Sequence, residues 1–508
     1  MDTPDSAAAY ADEVVGRARE AATAFRGCTQ EQVDAIVRAA YEAAYDARIA
    51  LARHAVDETG LGVVEHKVIK NAWASVLVYE DIRHSRTVGP IARDDERGIT
   101  RIAWPKGPIL ATVPLNNPTA TTIFKALICL KTRNPLIVSP HRAARKCVKE
   151  TVRILAWAAE RAGAPADAIQ FMRHGQKDHL LAVMGHPGLA LILATGTSGL
   201  VELAQRSGTP TLGVGPGNVP VYVHESADLP DAAHWIVHSK TFDNGTICAS
   251  EQALVAEHAV ARALQSLLEA RGAHFCSPAE TAALGPVCFD ASHARMRPEA
   301  VGQPARVLAE RAGFSVPGPT RLLVAECTGV GPEHPLSHEI LMPVLTLYRC
   351  GSYDEAFDTC RAVTLRGGVG HTVVVYANDD RVVADFARLD AARVLVNQPS
   401  TQGAIGGIFN TLRASLSLAC GTGAGNMTTD NISIDHLLNI HRVAHRRFNA
   451  RWADVRQLTL DASVDSREIL ERYHAGRVVS SQYSVEEPPV ALQREGVRSA
   501  CWLRATDS

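Results

Sequence analysis

The sequence predicts an α/β protein with two lobes, each built on a parallel sheet. From about residue 105, short runs rich in Val, Ile and Leu alternate with longer stretches of helical periodicity, the pattern of βα units. A second series of such runs begins after residue 250, and 508 residues with 46% hydrophobic content suffice for two cores.

The first sixty residues read as helix. Thr29 and Gln32 stand at capping-box spacing, Val33, Ile36, Val37, Ala40, Tyr41 and Ala44 share one apolar face, and Gly60 supplies a stop. This segment reads as a packing layer without chemistry of its own. Strands are expected at 108–113, 136–139, 189–194 and 221–223, with helices near 119–130, 142–162 and 200–205, so that a dinucleotide-type domain runs to about residue 230. The second lobe is expected to place strands at 253–256, 322–325, 344–348, 372–376 and 393–396. Beyond about residue 451 the chain is richer in charge, with one short helical signal at 466–473, and reads as an appendage. No repeat or low-complexity tract interrupts the chain.

A formal net charge of −2, with basic residues scattered, argues against nucleic acid or an anionic membrane as partner and for small molecules. The segment 1–8 does not resemble a secretory signal, and no apolar stretch reaches the length of a membrane span. Eleven cysteines, dispersed without CxxC pairs or histidines at ligand spacing, argue against a disulfide framework and a metal site. A reducing, cytoplasmic setting is expected.

Cys248 lies between an Asn-Gly turn and an apolar run, among small and hydrogen-bonding residues. A nucleophilic cysteine needs thiolate character, access and donors for an oxyanion, and residues 244–250 can supply all three. A free cysteine is also commonly a small buried hydrophobe, so both readings stand at this point. Cys420, before Gly-Thr-Gly-Ala-Gly-Asn426, is its main competitor. Three glycine-rich stretches, 194–199, 213–218 and 421–426, suit either turns or phosphate cradles, and none matches GxGxxG. Pro114-Leu-Asn-Asn-Pro118 closes the first strand, where side-chain amides face a ligand crevice or simply form a turn.

Taken together, Ser239-Lys-Thr-Phe-Asp-Asn-Gly-Thr-Ile-Cys-Ala-Ser-Glu-Gln252, Phe124-Lys-Ala-Leu-Ile, Lys131-Thr-Arg-Asn-Pro, Ser139-Pro-His141, Leu193-Ala-Thr-Gly and Gly213-Val-Gly-Pro-Gly-Asn218 resemble the CoA-acylating aldehyde dehydrogenases. The likeness is strongest to the aldehyde dehydrogenase half of bifunctional aldehyde-alcohol dehydrogenases. It runs in order over roughly residues 10–445. The resemblance implies an aldehyde dehydrogenase-like fold, with a Rossmann-type cofactor domain and an α/β catalytic domain. The expected division is helices and NAD-binding domain at 1–233, catalytic domain at 234–426, a return segment with an oligomer contact at 427–450, and an appendage at 451–508.

Carried over residue by residue, the resemblance makes Cys248 the nucleophile. Its thiohemiacetal with a short-chain aldehyde, acetaldehyde or propionaldehyde, would lose a hydride to NAD (NADP is the alternative), and coenzyme A would take the acyl group from the resulting thioester. Hydrolytic members carry a glutamate base ahead of Gly-Gly-Lys-Asn, whereas residues 213–218 hold no acid, so the thioester is expected to wait for a thiol rather than water. Asn116, with the backbone N–H of Cys248, is the expected oxyanion site, in a chain that reads Leu-Asn-Asn-Pro where many acylating relatives read Thr-Thr-Asn-Pro. Thr197, Gly199 and Gly215 are expected at the cofactor, with Glu339 on the nicotinamide ribose. His371 is expected near the substrate without an assigned step, and Glu251 is expected to be structural. Arg413 could pair with an anionic aldehyde such as sulfoacetaldehyde or succinate semialdehyde; a solvated arginine is the alternative.

The resemblance stops at the first half of the bifunctional proteins and implies a stand-alone homodimer or homotetramer. The tail is compatible with packaging in a bacterial microcompartment. Acyl-phosphate reduction and a non-catalytic scaffold are the competing functions.

Overall fold

The computed structural model describes residues 6–290, 292 and 295–475; the first five residues and 476–508, part of the expected appendage, lie outside them. The chain divides into two compact units, residues 1–92 with 100–442, and residues 93–99 with 443–508.

The first unit opens with helices Ala7–Arg26, Gln30–Asp46 and Arg48–Thr59. Thr29 and Gln32 close the expected capping box: the Gln32 N–H donates to Thr29 Oγ1 at 3.3 Å and the Thr29 N–H to Gln32 Oε1 at 2.8 Å. Gly60 ends the third helix in the left-handed region at φ 68°, which a side chain rarely adopts. Val33, Ile36, Val37, Ala40 and Ala44 are buried in one core with Ile123, Leu127 and Leu130 of the helix Pro118–Lys131. Full burial of each large aliphatic side chain there contributes about 1.5–3 kcal/mol. Tyr41 is half-buried and stacks on Tyr79, ring centroids 4.4 Å apart.

The first sheet holds β1 (Ile109–Val113), β2 (Leu136–Pro140), β3 (Ile169–Phe171), β4 (Leu191–Thr195) and β5 (Thr211–Val214), all parallel, in the order β3-β2-β1-β4-β5. The second is a seven-stranded parallel sheet of β6 (Val219–Val223), β7 (Glu251–Glu257), β8 (Ala273–Phe275), β9 (Leu322–Glu326), β10 (Val344–Cys350), β11 (Gly370–Tyr376) and β12 (Ala391–Val396), in the order β8-β9-β10-β7-β6-β11-β12. A separate three-stranded sheet comprises Gly89–Asp94, Ile99–Pro105 and Leu438–Ala444.

Two differences from the sequence reading have physical causes. β6 was expected with the first lobe but lies inside the second sheet, because residues 215–218 cross from one sheet to the other. The strands β3, β5 and β8 were not anticipated; each is three or four residues long and lies at a sheet edge, too short for periodicity to register.

The second unit contains helices Ala450–Val455 and Ser466–Ala475, the latter close to its expected span. Asn449 caps the first by accepting the Trp452 N–H at 3.1 Å, and its amide donates to Tyr473 Oη of the second at 3.1 Å. Among the described residues no helix is long and apolar enough to cross a membrane.

Candidate active site

Cys248 follows a tight turn in which Asp243, Asn244 and Gly245 all have φ between 51° and 75°. For the two non-glycine residues this conformation costs on the order of 1–3 kcal/mol each and persists only where the surroundings fix it. They do. Asp243 Oδ1 accepts the Val63 N–H at 2.7 Å, Oδ2 accepts Lys67 Nζ at 3.0 Å, Thr246 Oγ1 at 2.7 Å and Lys70 Nζ, and the Asp243 N–H donates to His66 Nδ1 at 2.8 Å. Gly245 is pressed on Met342, whose carbonyl oxygen would lie 2.5 Å from an added Cβ.

Burial alone would raise the Asp243 carboxyl, but Lys70 and Lys67 outweigh it and hold it down at about 2. Because this lies below its ordinary value of 3.8, the stability it contributes is complete above about pH 4 and is lost as the pH falls toward 2. Asp243→Asn leaves two buried lysines without their anion and is expected to cost about 3–5 kcal/mol at neutral pH. Thermal melts across pH should show a lowered Tm and a flatter acid limb; an unchanged acid limb would contradict this account.

Among the ten described cysteines, Cys248 is half-buried, whereas its competitor Cys420 is buried with Sγ 3.3 Å from the Leu418 carbonyl. Access favours Cys248. Burial, with the Glu339 charge next, lifts the Cys248 thiol to about 12, and Arg393 pulls the other way. Gly217 packs on the nucleophile segment: a Cβ there would lie 2.2 Å from the Cys248 carbonyl oxygen and 3.2 Å from His371 Cδ2. The Gly217 N–H donates to Glu339 Oε1 at 3.0 Å, and the Asn218 amide pins the loop to the Ser337 and Val363 carbonyls at 2.8 and 2.9 Å. Burial raises Glu339 to about 7, against the pull of Gly217 and Lys240. Glu339 thus stands beside the Cys248 loop, and at neutral pH it is only partly ionised.

His371 is buried on β11 with Nδ1 3.0 Å from Thr372 Oγ1, and its Nε2 has no protein partner. Burial, with Arg393, lowers it to about 3, so the ring is neutral. Asn116 donates its side-chain amide to the Thr246 carbonyl at 2.9 Å, which leaves a second N–H on the same nitrogen. Glu251 accepts the Ser400 N–H at 2.8 Å inside the second core.

Two of the glycine-rich stretches, 213–218 and 421–426, meet through a side chain. Asn426 brackets Gly213, accepting its N–H at 2.9 Å and donating to its carbonyl, and Gln205 donates to the Gly425 carbonyl at 2.9 Å. The order β3-β2-β1-β4-β5 places a topological switch point between β1 and β4, whose carboxyl ends open toward 114–118 and 196–199. Helix Ser198–Arg206 begins there with Thr197 and Gly199 exposed, and added Cβ atoms at Gly199 and Gly215 would meet open space. That crevice can take a pyrophosphate against the helix N–H groups.

Arg413 already has two anionic partners. It pairs with Asp81 at 3.3 Å and Asp435 at 3.1 Å, two carboxylates that a substrate anion would have to displace. A cleft of 830 Å³ lined by Arg19, Arg26, Lys106 and His186 lies at the opposite, amino-terminal ends of β1 and β4 and contains none of the residues above.

Sequence reasoning missed Lys67, Lys70, Asp243, Lys125 and Arg393. Lys125 is buried and ties β1 to β4 by donating to the Thr112 and Leu193 carbonyls at 2.8 and 2.9 Å and to Thr195 Oγ1 at 3.0 Å. Arg393 is buried beneath the nucleophile, donating to the His371 and Ala419 carbonyls at 3.0 and 2.9 Å and to Asn431 Oδ1 at 3.1 Å. For Lys125 and Arg393 the available signal was a charged residue inside a run that otherwise reads as core; Lys67, Lys70 and Asp243 lie beside other polar residues and gave no such signal.

A profile of the aldehyde dehydrogenase family matches residues 1–415. The bifunctional aldehyde-alcohol dehydrogenase AdhE of Escherichia coli (strain K12) is 42% identical over 444 residues, 86% of this chain and 50% of that protein. This chain spans about half the length of the aldehyde-alcohol dehydrogenases it matches. An acetylating aldehyde dehydrogenase from Geobacillus thermoglucosidasius superposes with a TM-score of 0.85 at 40% identity, over 87% of this chain and 97% of the other. The propionaldehyde dehydrogenase of Rhodopseudomonas palustris, solved with bound CoA and an acylated cysteine, superposes with a TM-score of 0.77 at 26% identity, over 86% and 97%. With residues 1–415 matched by the family profile and Cys248 set against the 213–218 loop, where the chain crosses between two parallel sheets, the chain belongs to the aldehyde dehydrogenase family.

Proposed function

We propose that this chain is an acylating aldehyde dehydrogenase that converts a short-chain aldehyde, acetaldehyde or propionaldehyde, to acyl-CoA with reduction of NAD, or of NADP as the alternative. One observation carries the reading: residues 213–218, which pack on Cys248, hold no acid of their own, and the carboxylate bonded to them, Glu339, accepts the Gly217 N–H. The bound CoA and acylated cysteine of the Rhodopseudomonas protein support it.

Cys248 Sγ adds to the aldehyde carbon, and Asn116 Nδ2 with the Cys248 N–H faces the developing oxyanion. The crevice between β1 and β4 holds the dinucleotide, which when bound accepts the hydride. Cys248 then carries the acyl group as a thioester until a CoA thiol attacks the carbonyl carbon, restoring the Cys248 thiol. Exchange of one thioester for another keeps the sequence reversible. Glu339, bonded to Gly217, steadies the loop in this reading and meets the nicotinamide ribose.

In the same reading the cofactor half ends at the 215–218 crossing, residues 427–450 carry the contact of a homodimer or homotetramer, and the protein resides in the cytoplasm or a microcompartment. NADH formation should require aldehyde and CoA together. Full-rate NADH formation with aldehyde alone, yielding free acid, would sink the proposal, and activity with phosphate in place of CoA would favour the acyl-phosphate alternative.

A further inference from the structure

The helix Val64–Ala72, just past the helical layer read from the first sixty residues, brings two lysines to the nucleophile turn. Lys67 and Lys70 stand one turn apart and are each only 2% exposed; the carboxylate of Asp243 between them is 0% exposed. Two cations share one buried anion, so the cluster carries one net positive charge when all three groups are ionised. Lys67 Nζ also donates to the Asn116 carbonyl at 2.9 Å, and Lys70 Nζ to Asn117 Oδ1 at 2.6 Å. Lys70 further approaches Thr246 Oγ1 at 3.3 Å and the Thr246 carbonyl at 3.5 Å, two residues before Cys248. That carbonyl is the group on which the Asn116 amide rests.

We propose that Lys67 and Lys70 are positioning residues for the acylation chemistry: together with Asp243 they hold a net positive charge beneath Cys248 that favours its thiolate, and they fix the Asn116 loop against the same turn. This rests on the reading of Cys248 as nucleophile. An ion pair built only for folding needs one lysine per aspartate. The second cation is what gives the cluster a field, and burial removes the solvent that would screen it.

The groups facing this charge are identified. Lys70 faces Asp243, Lys67 and Cys248, and burial with Lys67 lowers it to about 8 against the pull of Asp243. His66 abuts Asp243 from the same helix. On its other side Cys248 faces Glu339, which opposes the thiolate, Arg393, which favours it, and the Cys420 thiol.

The test is the rate of Cys248 alkylation by iodoacetamide at pH 7.5, read by peptide mass in the full-length protein, with Cys248→Ala identifying the modified peptide. Lys70→Met and Lys67→Met each remove one positive charge at this pH, which lies below the Lys70 value of about 8, and should slow the reaction about tenfold. Lys70→Arg keeps the charge and should stay within about threefold of the wild type. A purely structural role predicts a lowered Tm with an unchanged alkylation rate at pH 7.5, and that outcome overturns the proposal. If Lys70→Met does not fold, Lys67→Met against Lys70→Arg decides between the same two results. Absence of CoA-dependent turnover in the wild type would overturn the acylating reading instead, and the alkylation comparison would still report the coupling.

Discussion

Cys248→Ala is expected to abolish CoA-dependent NADH formation, by about 10⁴-fold or more, while binding of the dinucleotide and thermal stability stay close to wild type. The size of the effect follows from covalent catalysis. Without Sγ no thiohemiacetal forms, hydride has no tetrahedral carbon to leave from, and no acyl group is stored for CoA. Cys420→Ala is the matched control, because Cys420 is buried and directs its Sγ to the Leu418 carbonyl. Turnover retained in the Cys248 variant and lost in the Cys420 variant would transfer the role to the second thiol.

Asn116→Ala carries the next largest effect. A preorganised oxyanion donor contributes about 10²–10³-fold to kcat, and the Asn116 amide is preorganised by its bond to the Thr246 carbonyl. The expected signature is a fall in kcat with KM for the aldehyde little changed, since the carbonyl oxygen gains its full charge only in the transition state. Stopped-flow measurement of the NADH burst separates this from slow CoA transfer. A kcat within threefold of wild type would remove Asn116 from the oxyanion site.

Much of this site was legible because it is written in contiguous segments. Cys248, the 213–218 loop and the 194–199 turn each lie in a run whose order and spacing identify the family, and the structure brings Glu339 and His371 to the same loop. The capping box at Thr29 and the helix stop at Gly60 were legible for a similar reason, as local hydrogen bonding and φ preference act within a few residues.

What escaped depends on distance along the chain. Asp243 meets Lys67 and Lys70 across 176 and 173 residues, and lysines on a short helix read as a solvated face until the partner is placed. Arg393 likewise gains meaning only when β12 lies beside β11 and puts its guanidinium on the His371 and Ala419 carbonyls. Arg413 shows the converse: its charge suggested a substrate anion, and Asp81, 332 residues away, had already claimed it. The placement of β6 in the second sheet was hidden because a four-residue crossing resembles an ordinary loop.

In the proposed mechanism the thioester on Cys248 waits for CoA, and peptide mass spectrometry of the Cys248 segment reads that step directly. With acetaldehyde and NAD but no CoA, about one acetyl group per chain should accumulate on Cys248, persist for many turnover times, and appear as acetyl-CoA when CoA is added. Loss of that acetyl group as free acetate at the turnover rate, before any CoA is present, would contradict that mechanism.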